Sequence, residues 1–128
     1  MATGLIIHDN TSPTETLRAL LTLKCDRVYC ATSGSKGIQM AREHHPDVIV
    51  VDYRLPDMTR ETLLFSLRQY ADLHAIPVIL FGTALQREEL KHCLQPYDTF
   101  LPVPFRAVDL LEQIDLRIHR EFAAPAAG

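Results

Sequence analysis

Val48-Ile49-Val50-Val51 places four β-branched residues in succession and closes them with Asp52. A strand with one face in water alternates apolar and polar residues. A continuous apolar run belongs to a strand covered on both faces, as in a parallel sheet packed between helices. That choice constrains the rest of the chain, because parallel strands are joined by long crossovers, usually helical. Four further runs fit the scheme: Leu5-Ile6-Ile7, then 27–32, 78–81 and 99–103. Between and after the runs, apolar residues recur at helical spacing. Leu17, Leu20 and Leu21 mark a helix over 14–23, and Ile38, Met40 and Ala41 one that ends before Pro46. Leu63, Leu64 and Leu67 mark a helix over 59–70, and a more polar one spans 85–94. Val108, Leu111, Ile114 and Ile118 mark the last, over 107–120. Ser12 before Pro13, with Glu15, reads as a capping box at the start of the first.

At 128 residues the chain holds one domain, expected over 1–122 with 123–128 as a tail or linker stub. Thirteen Lys and Arg against sixteen Asp and Glu give a net charge of −3, which argues against a dedicated nucleic-acid surface. Residues 1–7 lack a basic stretch followed by a long apolar one, so no signal peptide is expected. No apolar run approaches the ~20 residues of a membrane span. Cys25, Cys30 and Cys93 are odd in number and unspaced for zinc, and they read as reduced, half-buried small residues. A cytoplasmic location is expected.

Strand chemistry also suggests the order. The runs at 5–7, 48–51 and 78–81 are continuous and belong at the centre. The run at 27–32 alternates, and the one at 99–103 contains Pro102, which cannot donate to a ladder, so both belong at edges. Order 2-1-3-4-5 satisfies this and puts the topological switch between strands 1 and 3, where such sheets bind ligands. Asp9 follows strand 1 and Asp52 follows strand 3. Adjacent strands lie about 4.8 Å apart, so both carboxylates can reach one ion. A hard ion such as Mg²⁺ suits them, and Asp52 is then placed as a nucleophile toward phosphorus. Asp9 also suits a plain turn or helix cap.

Three stretches carry a resemblance. They are Pro46-Asp47-Val48-Ile49-Val50-Val51-Asp52-Tyr53-Arg54-Leu55-Pro56-Asp57-Met58, Ile76-Pro77-Val78-Ile79-Leu80-Phe81 and Pro104-Phe105. With them the chain resembles, over about residues 4–120, a response-regulator receiver domain, the phosphoacceptor module of two-component signalling. The resemblance implies a flavodoxin-like (βα)5 three-layer sandwich and no enzyme. It implies Asp52 as phosphoacceptor, Mg²⁺ held by Asp9, Asp52 and the backbone carbonyl of Arg54, and Phe100 as the switch aromatic. Partners implied are a histidine kinase or phosphotransfer protein, an effector protein or domain, and a second copy through helix 4, strand 5 and helix 5. Gln86, Glu89, Lys91, Phe100 and Arg117 would lie near that surface.

The departures are as informative. His8 stands where the family has its first acidic residue, which removes a negative charge from the pair. Gly82 stands for the strand-4 Thr or Ser, with Thr83 one place late, and Val103 for the phosphate-pairing lysine. Arg60 stands for a glycine. The expectation is weak Mg²⁺ binding and weak phosphorylation, with a pseudo-receiver that docks a partner unmodified as the alternative. A small enzyme or flavin carrier is a remoter class. An aspartyl phosphatase would want a second Asp where Arg54 stands, and Thr11-Ser12-Pro13-Thr14 lacks the glycines of a phosphate loop. Gly34-Ser35-Lys36-Gly37 is too short for one, and His44-His45 read as solvated rather than as ligands.

Overall fold

The computed structural model describes residues 2–9, 15–52 and 54–119. The elements in chain order are β1 (Thr3–Ile7), α1 (Glu15–Thr22), β2 (Arg27–Ala31), α2 (Gly34–His44) and β3 (Val48–Val51). They continue as α3 (Arg60–Gln69), β4 (Val78–Gly82), α4 (Ala84–Leu90), a 3₁₀ turn (Lys91–Cys93), β5 (Thr99–Pro102) and α5 (Ala107–Ile118). All pairings are parallel and the order is β2-β1-β3-β4-β5. This is the flavodoxin-like doubly wound architecture, with the strand order expected from the sequence.

Side-chain alternation across the sheet builds two apolar layers. Ile49 and Val51 join Leu63, Leu64 and Leu67 of α3, Ala41 of α2 and Leu90 of α4. Val48 and Val50 join Leu21 of α1 with Leu110 and Ile114 of α5. Each residue of β3 is fully buried, which is worth about 1.5–3 kcal/mol per side chain of this kind. The edge strand β2 alternates likewise, Tyr29 and Ala31 on one layer and Val28 and Cys30 on the other. Gly37 lets α2 approach β1 closely, since a Cβ there would lie 2.4 Å from Ile7 Cδ1.

Two local readings, at the fourth and fifth helices, are corrected, and others hold. The fourth helix begins at Ala84 because Thr83 and Gln86 form a reciprocal capping box, and it ends at Leu90. The 3₁₀ turn then tightens the chain ahead of Pro96, before which helical backbone is disfavoured. On α5 the buried residues are Leu110 and Ile114, and Val108 is 44 % exposed. At about 100° per residue Val108 points some 200° away from Leu110, so it faces solvent. The histidine pair is surface-exposed but engaged. His44 stacks on Tyr29 at 3.8 Å, and His45 turns into the left-handed region at φ 47° and meets Asp72 at 3.0 Å. The three cysteines are free thiols, with Cys25 buried. The capping box at Ser12 and the stub at 123–128 lie outside the described residues.

Candidate functional site

The site forms where β1 and β3 end side by side. Ile7 pairs with Val51, and the Asp52 N–H donates to the Ile7 carbonyl at 2.9 Å, so the ladder extends one step beyond the strands. His8 is 8 % exposed, its N–H donating to Ala31 at 2.9 Å. Its Nδ1 lies 2.6 Å from the Asp9 carbonyl. A carbonyl only accepts, so Nδ1 carries the proton and the ring is turned back on the chain. Asp9 and Asp52 are both half-buried at the ends of neighbouring strands.

Asp52 opens on a cleft of about 260 Å³. Its walls are Leu17 and Leu20 of α1, Phe81, Val103, Phe105 and Leu110. Phe81 and Phe105 stack at 4.8 Å. Val103 is 37 % exposed, and its N–H donates to the Gly82 carbonyl at 2.9 Å. The end of β5 therefore presents an aliphatic side chain to this cleft. Arg54 is exposed and borders a different cleft, beside Thr59, Arg60 and Gln86.

Arg60, noted in the sequence only as a departure from glycine, is the residue whose placement was missed. It is 8 % exposed, and its guanidinium donates to the Phe81 carbonyl. Val51 pairs with Leu80, so continuing the register sets Phe81 level with Asp52. The Arg60 guanidinium is thus anchored on the strand next to the one that ends in Asp52, and it lines the cleft that Arg54 borders. Gly82 makes the room. A Cβ there would lie 2.4 Å from Gln86 Oε1, 2.7 Å from Phe100 Cζ and 3.3 Å from Arg60 Nη2. Arg60 also sits 6.0 Å from the Phe100 ring centre. The available signal was the joint change, a large side chain at 60 with none at 82. Thr83 is committed to the α4 cap, its Oγ1 accepting from Gln86 N at 3.2 Å.

The loop from β3 to α3 is tied to α2. Asp57 accepts from the Gly34 and Ser35 N–H groups at 2.7 and 3.0 Å. These bonds hold its carboxyl below the usual range, the Ser35 bond contributing most. The Gly34-Ser35 donors are thereby occupied.

The chain is a doubly wound parallel sheet with carboxylates at the strand ends where its order reverses, the crevice at which sheets of this kind bind ligands. The family model for the response regulator receiver domain matches residues 5–115, and the chain belongs to that family, a non-enzymatic signalling module of two-component phosphorelays. The chain is 29% identical over 125 residues to the transcriptional regulatory protein KdpE of Mycobacterium tuberculosis, covering 97% of this chain and 54% of KdpE. It is 25% identical to the cell cycle transcriptional regulator CtrA of Caulobacter vibrioides, covering 91% of this chain and 50% of CtrA. The chain thus spans about half the length of these relatives. Among solved structures, a receiver domain protein from Clostridium thermocellum superposes with TM-score 0.82 at 20% identity, covering 97% of this chain and 99% of that one. The receiver domain of the sensor histidine kinase PA1611 from Pseudomonas aeruginosa, described with a magnesium ion in its active site cleft, has TM-score 0.76 at 21% identity, with 91% and 97% covered. No helix among the described residues is long and apolar enough to cross a membrane.

Proposed function

We propose that residues 1–122 form an atypical cytoplasmic receiver that accepts a phosphoryl group on Asp52 slowly or in part. The donor is a histidine kinase or phosphotransfer protein, and the modified domain acts as a binding switch for an effector protein or domain. The observation that carries this reading is Asp52 itself, half-buried at the end of a fully buried central strand and open to a cleft. In the transfer, an Asp52 oxygen bonds to phosphorus as the phosphorus–nitrogen bond of a donor phosphohistidine breaks, leaving the imidazole with the electron pair.

The donor set fits Mg²⁺, since two strand-end carboxylates and a carbonyl are hard oxygen ligands that leave positions for water. Asp9, Asp52 and the backbone carbonyl of Arg54 would hold the ion, which when bound offsets charge on the phosphoryl oxygens. The chain's own contribution is unusual. Val103 offers no charge-assisted hydrogen bond, a loss of about 1.5–3 kcal/mol on the phosphorylated state. Arg60 is held on the neighbouring strand at the Phe81 carbonyl. Intact mass after incubation with Mg²⁺ and a small phosphodonor tests the reading. A partial mass increase, absent in Asp52→Ala and larger in Val103→Lys, is expected. An unmodified wild type that stays unmodified in Val103→Lys overturns it.

One observation favours a second reading, a pseudo-receiver that docks a partner without modification. The cleft beside Asp52 is walled mainly by apolar side chains. In that case binding is unchanged in Asp52→Ala.

A further inference from the structure

Three side chains with metal-binding atoms converge where the start of α3 meets the turn after α4. Glu61 is the second residue of α3, and His92 and Cys93 complete the 3₁₀ turn Lys91–Cys93. A carboxylate oxygen, an imidazole nitrogen and the thiol sulfur all lie within 4.8 Å of one another. Cys93 Sγ is 3.4 Å from His92 Nε2, and His92 Nε2 is 3.8 Å from Glu61 Oε2. Tetrahedral zinc, with bonds of about 2.3 Å to sulfur and about 2.1 Å to nitrogen or oxygen, requires ligand separations of roughly 3.4–3.6 Å. The two observed spacings fall within a few tenths of an ångström of that range. The third spacing, from Cys93 Sγ to the Glu61 carboxylate, is within 4.8 Å, so closing on an ion asks for rotation of the exposed Glu61 side chain.

The framework holds these positions from both sides. Cys93 and Leu94 pack against the core layer that contains Leu63, Leu64 and Leu90. The start of α3 is fixed by Thr59, whose Oγ1 accepts from Thr62 N at 3.1 Å. Glu61 and His92 are exposed, so an ion enters from solvent. Thiolate, imidazole and carboxylate together select a borderline-soft ion over Mg²⁺ or Ca²⁺, which take all-oxygen shells. With three protein ligands, a fourth position is left to water.

We propose that Glu61, His92 and Cys93 form a binding site for Zn²⁺ or a similar borderline divalent ion, clamping the turn after α4 to the start of α3. The site is separate from Asp52 and does not rest on its phosphorylation. It lies one residue from Arg60, so an ion here would stiffen the helix start that reaches the Phe81 carbonyl.

Titration of the whole chain with Co²⁺, followed by its thiolate-to-cobalt charge-transfer absorption, tests the site, with Zn²⁺ added afterwards to displace the cobalt. One equivalent of cobalt is expected to give the band, and zinc to abolish it. Cys93→Ser should remove the band, and His92→Ala and Glu61→Gln should each weaken binding by at least about tenfold, the loss that even a change outside the direct ligands brings. Both latter residues are exposed, so the fold survives. Cys30→Ser and Asp52→Asn should leave the titration unchanged, which separates this site from the other thiols and from the acidic cleft. Absence of the band, its persistence in Cys93→Ser, or its loss in Cys30→Ser or Asp52→Asn would overturn the proposal.

Discussion

At the scale of single residues, the space beside Gly82 shows how two substitutions support each other. Phe100 Cζ, Gln86 Oε1 and Arg60 Nη2 all crowd the position that a Cβ on residue 82 would take. Gln86 can swing its amide away, although that amide oxygen accepts the Thr83 N–H of the α4 cap. The Phe100 ring has less freedom, because it packs against the core layer. Gly82→Thr should therefore be overpacked and cost about 1–3 kcal/mol. Pairing it with Phe100→Leu, which removes the ring atom 2.7 Å away, should recover part of the loss. Urea denaturation of the single and double variants checks this, and equal loss in both would refute it. Cys25 illustrates burial acting on chemistry. Desolvation, with help from Asp47 and Asp26, raises its thiol to about 11, so it is not a reactive cysteine.

Among elements, α2 depends on a carboxylate supplied by a distant loop. Ser33 caps it locally, accepting from Lys36 N at 3.1 Å, and Asp57 covers the next two donors. An acidic group at a helix N-terminus is also favoured by the helix dipole. Folding depresses the Asp57 carboxyl below its ordinary 3.8. Its contribution to stability is therefore fully present above that value and is lost as pH falls through the depressed, folded-state value. The stability gap between wild type and Asp57→Ala should stay constant from neutral pH down to about 5 and narrow steadily under more acidic conditions. Thermal melts across that range would show it, and a gap that widens on acidification would contradict it. The helix starts at Ser33 and Thr59 follow local capping chemistry and were legible as boundaries. The burial phase of α5 was not, because Val108, Leu111, Ile114 and Ile118 are equally consistent with a helical stripe until the sheet selects Leu110 and Ile114.

Over the whole molecule, the ion pair between Arg68 and Asp98 joins parts that no helix or strand connects. Arg68 Nη2 meets both Asp98 oxygens, at 2.7 and 2.6 Å, and its Nη1 donates to the His74 and Ile76 carbonyls. Asp98 also accepts from the backbone N–H groups of Val78 and Gln95 at 2.8 and 2.9 Å. One carboxylate, its side chain fully buried, thus ties α3, the start of β4 and the approach to β5. Removing one partner of such a pair leaves an uncompensated buried charge. Asp98→Ala should cost about 3–5 kcal/mol, read as a fall in the urea midpoint with the slope unchanged. A loss below about 1 kcal/mol would mean that the pair behaves like a surface bridge.

The residues alone determined the strands, their order and the place of Asp52. A β-branched run, an alternating run and a proline-bearing run carry their burial in local composition, and burial ranks strands from centre to edge. The end of the central strand follows from the same pattern. Tertiary structure decided what surrounds that end. Arg60 reaches the Phe81 carbonyl, Arg68 grips Asp98, and Glu61 meets His92 and Cys93 across 31 and 32 positions of sequence. Periodicity reports which face of an element is apolar. It holds no information about which long polar side chain crosses to a neighbouring element, because that depends on helix placement over the sheet and on the room left by residues such as Gly82.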